Sequence, residues 1–490
     1  TTRKILYALL IGSGLLAACS PSSSTSGEQR DPIDYVNPYL GNISHLLVPT
    51  FPTVHLPNSM MRVHPQRTDY AAEQLEGLPL ILTSHRGISA FSLSPRTSLE
   101  DSVPAVTRYS YDQEEVKPYL YSVRLLEPEV SVGYAPAARS ALYTFDFEGQ
   151  GSGRYLVFST PDGQLRASGR SVSGWQQLSD STRVYLWAEL SEAPKALGLR
   201  EPRTGRMQMQ PDSVSGSSVV VALSGDKGAL RYGVSYISVE QAQRNVQREI
   251  QSYELKLVAK AGRNEWAKAL DKIQVEGGTA AERSTFYTSL YRTYERMVCI
   301  SEEGRYWSAF DNKVHEDGGV PFYTDDWLWD TYRAVHPLRL LLDPEREQQM
   351  LTSLLRMARQ SPEGWLPTFP EVQGDTHRMN GSHTIATFAD AYAKGVTGFN
   401  LAAAYAAAQR TLEEKSYLPW TRIPKGPLSK ALDERGYMPA LRPGERESDP
   451  RVTLWEKRQS VAVSLAAAYD YWTLAQLAKC AGHDEDAARY

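Results

Sequence analysis

The sequence predicts a β + α multidomain protein: an N-terminal antiparallel β-sandwich, then a helical linker, then an incomplete toroid of paired helices. Three observations carry this prediction. Residues 34–237 read as short β segments separated by Gly, Pro, Asp and Ser, residues 239–270 take on a helical composition, and beyond Gly277-Gly278 helices alternate with long aromatic and glycine-rich loops. A length of 490 residues is a prior of about three domains, or two large ones.

The first element is an address. Arg3 and Lys4 precede an apolar run over residues 5–16, which is shorter than the roughly 20 residues a spanning helix needs. It ends in Leu16-Ala17-Ala18-Cys19, a pattern that resembles a bacterial lipobox with Cys19 as the lipidated first residue of the mature protein. Residues 1–18 are therefore expected to be a lipoprotein signal peptide. Residues 19–33, opening Ser20-Pro21-Ser22-Ser23-Ser24, are expected to be a flexible tether. The expected location is the outer membrane, reached by export and held only through the lipid anchor; which face carries it is open.

Composition narrows the partners. With 53 basic and 57 acidic residues interspersed along the chain, the net charge is −4, which leaves no electrostatic footprint for nucleic acid or anionic lipid. Apolar residues at 41% and charged residues at 22% are ordinary globular usage, so extended disorder is disfavoured. Three cysteines exclude a disulfide scaffold and a four-cysteine zinc module. Once Cys19 is set aside, Cys299 and Cys480 are open to a disulfide in an exported compartment or to two buried thiols. No feature points to a protein partner.

Residues 34–238 make up the sandwich. Tyr121-Ser122-Val123-Arg124-Leu125 and Val130-Ser131-Val132 alternate, and Leu142-Tyr143-Thr144-Phe145-Asp146-Phe147 is rich in β-formers. The linker is placed at 239–278. Helices are then expected at 280–296, 327–342, 344–360, 383–394, 400–414 and 454–481, with a further start at Asp484. These make a partial toroid over 279–490. Because the chain opens on Thr1 rather than Met, and ends one turn into the helix begun at Asp484, the natural polypeptide is expected to extend further.

No motif of strong stand-alone specificity is present: there is no His-Glu-x-x-His, phosphate loop or EF-hand. The densest chemistry is Tyr323-Thr324-Asp325-Asp326-Trp327-Leu328-Trp329-Asp330-Thr331-Tyr332-Arg333, where three carboxylates interleave with indoles and phenols. Sugars present C–H faces that stack on aromatic rings and hydroxyls that bond to carboxylates, so this mixture suits a carbohydrate pocket. A helix start with Asp325 or Asp326 as cap explains part of it. A second cluster, residues 371–383, holds Asp375, His377, Arg378 and His383 ahead of a helix on which Asp390 and Lys394 form an i,i+4 pair. Arg378 and His383 are its candidate sugar-holding groups. Glycoside hydrolysis needs two carboxyls about 5–5.5 Å or 6.5–9.5 Å apart across one bond, an arrangement that adjacent Asp325 and Asp326 do not supply.

Several segments, taken in order, resemble glycoside hydrolase family 92, the calcium-dependent inverting α-mannosidases. They are Asp34-Tyr35-Val36-Asn37-Pro38-Tyr39-Leu40-Gly41, Ile273-Gln274-Val275-Glu276-Gly277-Gly278, Phe286-Tyr287-Thr288-Ser289-Leu290-Tyr291-Arg292-Thr293, Leu328-Trp329-Asp330-Thr331-Tyr332-Arg333-Ala334, Asp390-Ala391-Tyr392-Ala393-Lys394-Gly395 and Ala468-Tyr469-Asp470-Tyr471-Trp472. The resemblance implies a sandwich, a linker and an (α/α)6 barrel, of whose twelve helices about seven are expected here. It also implies release of terminal mannose from glycans, with Trp329 and Asp330 in the mannose pocket; Arg378 and His383 fall in the corresponding loop-to-helix region, and Asp325, Asp326 and Trp327 stand as binding candidates on the residue chemistry above. Two departures accompany it. Where the family has a Gly-Phe-Ser-His-Thr-His-Leu-Ser-Gly-like loop, this chain has Ile88-Ser89-Ala90-Phe91-Ser92-Leu93-Ser94-Pro95, without either histidine. The family's Glu acid, Asp base and most calcium ligands are expected beyond Tyr490, so no catalytic or metal-binding residue is assigned here. Two alternatives stand beside the mannosidase reading: a non-catalytic glycan-binding surface lipoprotein, and another carbohydrate enzyme of sandwich-plus-(α/α)6 build.

Overall fold

The computed structural model describes residues 30–43, 50–68, 72–84, 87–99, 102–210 and 212–490. The signal run, Cys19 and the tether as far as residue 29 lie outside the described residues. Ile33, assigned to the tether by composition, joins the folded part: it is buried in the short helix Pro32–Tyr35, and the flanking Asp31 and Asp34 pair with Arg263.

Among the described residues the N-terminal region forms two large antiparallel sheets, one of six strands and one of ten, and a two-stranded pair, Val54–His55 with Arg62–Val63. The alternation read at 121–125 is realised, strand Leu120–Leu125 burying every second side chain, and strand Arg183–Leu190 does the same. Both sheets contribute to one apolar core, so they form a sandwich. Two buried phenols reach across it, Tyr143 donating to the Pro79 carbonyl at 2.8 Å and Tyr232 to the Leu80 carbonyl at 2.7 Å.

The linker supplies helices α1 (Val239–Glu249) and α2 (Leu255–Leu270), which lie against the large sheet. Ser238 caps α1 by accepting from Gln241 N–H. Their close approach depends on two glycines. A Cβ at Gly233 would lie 2.2 Å from the Ala242 carbonyl of α1, and one at Gly133 would lie 2.3 Å from a Leu255 methyl of α2.

The helical region follows with α3 (Ala280–Thr293), α4 (Leu328–Thr331), α5 (Val335–Leu342), α6 (Pro344–Gln360), α7 (Thr384–Ala393), α8 (Leu401–Glu414), α9 (Pro427–Arg435), α10 (Ser460–Cys480) and α11 (Asp484–Arg489). These helices do not close a barrel. A capping box between Thr279 and Glu282 opens α3. The single helix expected at 327–342 is broken into α4 and α5, because Pro337 lacks an N–H for the ladder and fits only a first turn. Cys299 and Cys480 are free thiols. Among the described residues no helix is long and apolar enough to cross a membrane.

Two of the recognised segments meet at the domain junction. Asn37 N–H donates to Thr288 Oγ1 at 2.9 Å, while Arg292 of α3 binds the carbonyls of Phe51, Pro38 and Leu40 at 2.9–3.0 Å. Glu302 draws three regions together: it accepts from Tyr236 N–H of the sandwich at 2.9 Å and from the Asn245 amide of α1 at 2.8 Å. Burial pushes its carboxyl up to about 7.

Candidate functional site

Asp325 and Asp326 are both buried, and they point to different partners. Asp325 has a left-handed backbone (φ 65°) and is ion-paired with Arg62, which comes from the sandwich strand Arg62–Val63. Asp326 faces inward. Its Oδ1 accepts from Trp327 N–H at 2.8 Å and Thr331 Oγ1 at 2.9 Å, and its Oδ2 lies 2.8 Å from His336 Nε2. His336 Nδ1 then meets Glu347 Oε1 at 2.6 Å, and Arg339 binds the other Glu347 oxygen at 3.1 Å. Burial opposes a charged imidazole here, but Glu347 and Asp326 outweigh it and hold His336 at about 9. Burial likewise opposes ionisation of Asp326, and His336 outweighs it to keep that carboxyl below its usual range. Asp326 is thus a framework residue that fixes the turn carrying Trp327.

That turn lies along residues 368–371. Asp326 N–H donates to the Pro370 carbonyl at 2.8 Å, and Leu328 N–H to the Thr368 carbonyl at 3.3 Å. Asp375 secures the second segment by accepting from the N–H groups of Thr368, Phe369 and His377 at 2.8–3.0 Å. Strand Pro370–Glu371 pairs with Gly374–Asp375, which turns residues 377–380 back over Trp327.

Arg378 sits at the centre. Its guanidinium carbon is 5.5 Å from the Trp327 ring centre and 5.3 Å from that of Trp420, and its Nη1 is 3.5 Å from Glu371 Oε1. Buried polar atoms without a hydrogen bond gather here: Glu371 Oε1, Arg378 Nε and Nη1, and His377 Nε2, while His377 Nδ1 lies 3.1 Å from Asp375 Oδ2. Backbone strain gathers here as well. His377, Met379, Trp420 and Gln459 have φ between 46° and 61°, and their turns are joined by Trp420 N–H to the His377 carbonyl (2.9 Å) and Asn380 to Gln459 (2.8 Å). Orphaned polar atoms and left-handed non-glycine residues are what a ligand-binding cleft retains and a purely structural core removes.

His383 belongs to an adjoining group. Its Nδ1 is 3.0 Å from Asp470 Oδ1, and its ring stacks on Tyr332 at 4.3 Å. The other Asp470 oxygen accepts from Ser382 N–H at 2.6 Å. Between the groups lies a cavity of about 20 Å³, room for one water, lined by Thr368, His377, Arg378, Ser382, Lys415 and Asp470. Burial lowers the Lys415 ammonium, against the pull of Asp375 and Asp470. Trp329, half-buried, and Asp330, exposed, stand on α4 between Trp327 and Tyr332.

The structure therefore brings Asp325, Trp327 and Arg378 together, and sets Asp326 and His383 into the supporting frame. Sequence reasoning missed Arg62, Glu371, Lys415 and Trp420 as members. Only Glu371 carried a signal, since it opens the second polar cluster. The stretch of residues 88–95 forms most of strand Ser89–Arg96, whose partner strand ends at Leu82, and the Leu82 carbonyl accepts from Arg62 Nε at 3.4 Å. A sandwich histidine is present nearby after all: His64 stacks on Phe51 at 4.3 Å, and a Cβ at Gly87 would lie 2.9 Å from its Nε2. Burial lowers His64 to about 4, so it is neutral.

Fold and site together define a two-domain class of protein: a sandwich joined through a clasped linker to paired helices, with aromatic and charged side chains gathered around Arg378. The family model for the glycosyl hydrolase family 92 N-terminal domain matches residues 35–235, and that for the family 92 catalytic domain matches residues 241–490. The chain belongs to glycosyl hydrolase family 92. Among solved structures it is similar to a family 92 inverting mannosidase of Bacteroides thetaiotaomicron VPI-5482, at 24% identity and a TM-score of 0.82, over 95% of this chain and 64% of that one. It is also similar to a family 92 α-mannosidase of Bacteroides thetaiotaomicron, at 21% identity and a TM-score of 0.80, over 94% of this chain and 64% of the other. The latter has also been solved in complex with mannoimidazole. At these identities the likeness is one of fold, and this chain spans just under two thirds of those chains' length. No curated protein matches the sequence significantly.

Proposed function

We propose that the protein is an exo-acting α-mannosidase that releases terminal mannose from glycans with inversion, and that the cleft around Trp327 and Arg378 holds the sugar. The observation that carries this reading is the loosely engaged Arg378–Glu371 pair, with no hydrogen bond at Glu371 Oε1 or at Arg378 Nε and Nη1, beside two indole faces. A pyranose supplies what these groups lack, with hydroxyls for the polar atoms and C–H faces for the rings. Trp329 and Asp330 of the Leu-Trp-Asp-Thr segment belong to the same reading.

Inverting hydrolysis needs an acid for the leaving oxygen and a base for water. Asp325 is ion-paired with Arg62 and Asp326 is bound to His336, so neither is assigned these roles. The second reading is a non-catalytic glycan-binding lipoprotein, which would keep the same aromatic and charged side chains without an acid or base. Calcium enters from the family. Among the described residues no three His, Cys, Asp or Glu side chains converge to hold a metal, so these residues do not fit the ion and no step is derived through it.

Calorimetry with methyl α-D-mannopyranoside, set beside turnover of an aryl α-mannoside by the full-length protein with calcium and with chelator, tests the proposal. Binding is the expected result and its absence overturns both readings; calcium-dependent turnover selects the enzyme, and binding without turnover selects the lectin-like protein. Export and anchoring at Cys19 are part of the proposal and rest on the sequence. Labelled palmitate should enter the protein and be lost in Cys19→Ser.

A further inference from the structure

Glu371 is the buried carboxylate of the cleft whose engagement is incomplete. It is 6% exposed, and its backbone is fixed on both sides: its carbonyl accepts from Thr324 Oγ1 at 3.1 Å, and the Pro370 carbonyl accepts from Asp326 N–H at 2.8 Å. Elsewhere in the protein a partly buried Arg–Glu pair closes fully: Arg231 reaches Glu189 Oε2 with Nε at 2.9 Å and Nη2 at 2.6 Å. Arg378 and Glu371 stop at an ion-pair distance of 3.5 Å, with no hydrogen bond at Glu371 Oε1 or at Arg378 Nε and Nη1, while the Trp327 side chain also engages the Glu371 carboxylate. The guanidinium lies 5.5 Å from the Trp327 ring centre and 5.3 Å from that of Trp420, and the strand carrying the carboxylate is hydrogen-bonded on both sides. A gap of this kind is filled by a group that both accepts and donates. A sugar hydroxyl accepts from a guanidinium and donates to a carboxylate at once, and two adjacent hydroxyls of a pyranose satisfy the whole set.

We propose that Glu371 is a further substrate-contacting residue, whose Oε1 accepts a hydrogen bond from a hydroxyl of the bound sugar that in turn accepts from Arg378. This rests on the reading of the cleft as a glycan site. The neighbourhood agrees. Burial and the nearby Asp325 raise the Glu371 carboxyl against the pull of Arg378, Trp327 and Arg62, as expected of a carboxylate that the free protein leaves under-solvated.

The test compares wild type and Glu371→Gln, with methyl α-D-mannopyranoside as the calorimetric probe and thermal unfolding of the unliganded proteins alongside. Asp390→Asn, at the surface pair with Lys394, is the control. The expected result for Glu371→Gln is at least a tenfold rise in Kd with the thermal midpoint unchanged or higher, because a group whose folded pKa is raised does not stabilise the fold by being charged. Asp390→Asn keeps wild-type affinity. Wild-type affinity in Glu371→Gln overturns the inference and leaves the glycan site standing. A midpoint several degrees lower makes the carboxylate part of the frame and also overturns it. A wild-type protein that does not bind the probe removes the glycan site itself, and this role with it.

Discussion

His336 shows how a residue that touches no ligand shapes the site. It is 1% exposed, lies between Asp326 and Glu347, and through Asp326 sets the turn that presents Trp327. Its folded pKa of about 9 lies above the ordinary 6.5, so its stabilising effect is complete below pH 6.5 and is lost as pH rises through about 9. The shift corresponds to roughly 3 kcal/mol. Thermal midpoints measured from pH 6 to 10 should fall across that window in wild type, and the fall should be much smaller in His336→Gln. Equal profiles for the two proteins would show that the imidazole carries no charge there. The sequence by itself singles out no role for His336. Its partners lie 10 and 11 residues away on other turns, where spacing alone does not reveal them.

At the scale of elements, periodicity served well where a segment answers to one face. The alternating strands and helices α6, α7 and α8 lie within a residue or two of their expected bounds. Departures have local causes. Pro337 divides α4 from α5. Left-handed Lys457 and Gln459 delay α10 to Ser460, after the Trp455 turn. Helix α9 was not expected, although Pro427 at its first position and left-handed Gly436 at its end are the usual start and stop signals. Packing between elements turns on Gly233. Gly233→Ala drives a methyl into the α1 backbone and should destabilise the protein by about 1–3 kcal/mol, read from denaturant midpoints. Ala at exposed Gly225, where a Cβ meets nothing within 4 Å, should be near neutral, and a similar loss there would refute the steric account.

Over the whole molecule, the two domains are held by a clasp rather than by the linker alone. Arg292, Thr288 and Glu302 bind the N-terminal strap, the sandwich and α1, while the Arg62–Asp325 pair closes the interface beside the cleft. One surface contrasts with this closure: α10 exposes Val461, Leu465, Tyr469 and Trp472, spaced as one helical stripe, with Val461 75% and Leu465 68% accessible. A stripe of this kind promotes association. Leu465→Glu should reduce self-association of the 490-residue protein in sedimentation and change stability by no more than about 0.5 kcal/mol. Unchanged association would show that the stripe is inert.

What the sequence determined by itself is the order of structural classes and the family, because strand alternation, helical period and the recognised segments are properties of neighbouring residues. Tertiary structure alone decided the membership of the cleft. Arg62, Asp325, Glu371 with Arg378, and Trp420 come from four separate stretches of chain, and two chemically alike aspartates side by side took different tasks, one closing the domain interface and the other holding the frame. Burial and the count of satisfied hydrogen bonds separate such roles, and both depend on which distant residues the fold brings within 4 Å.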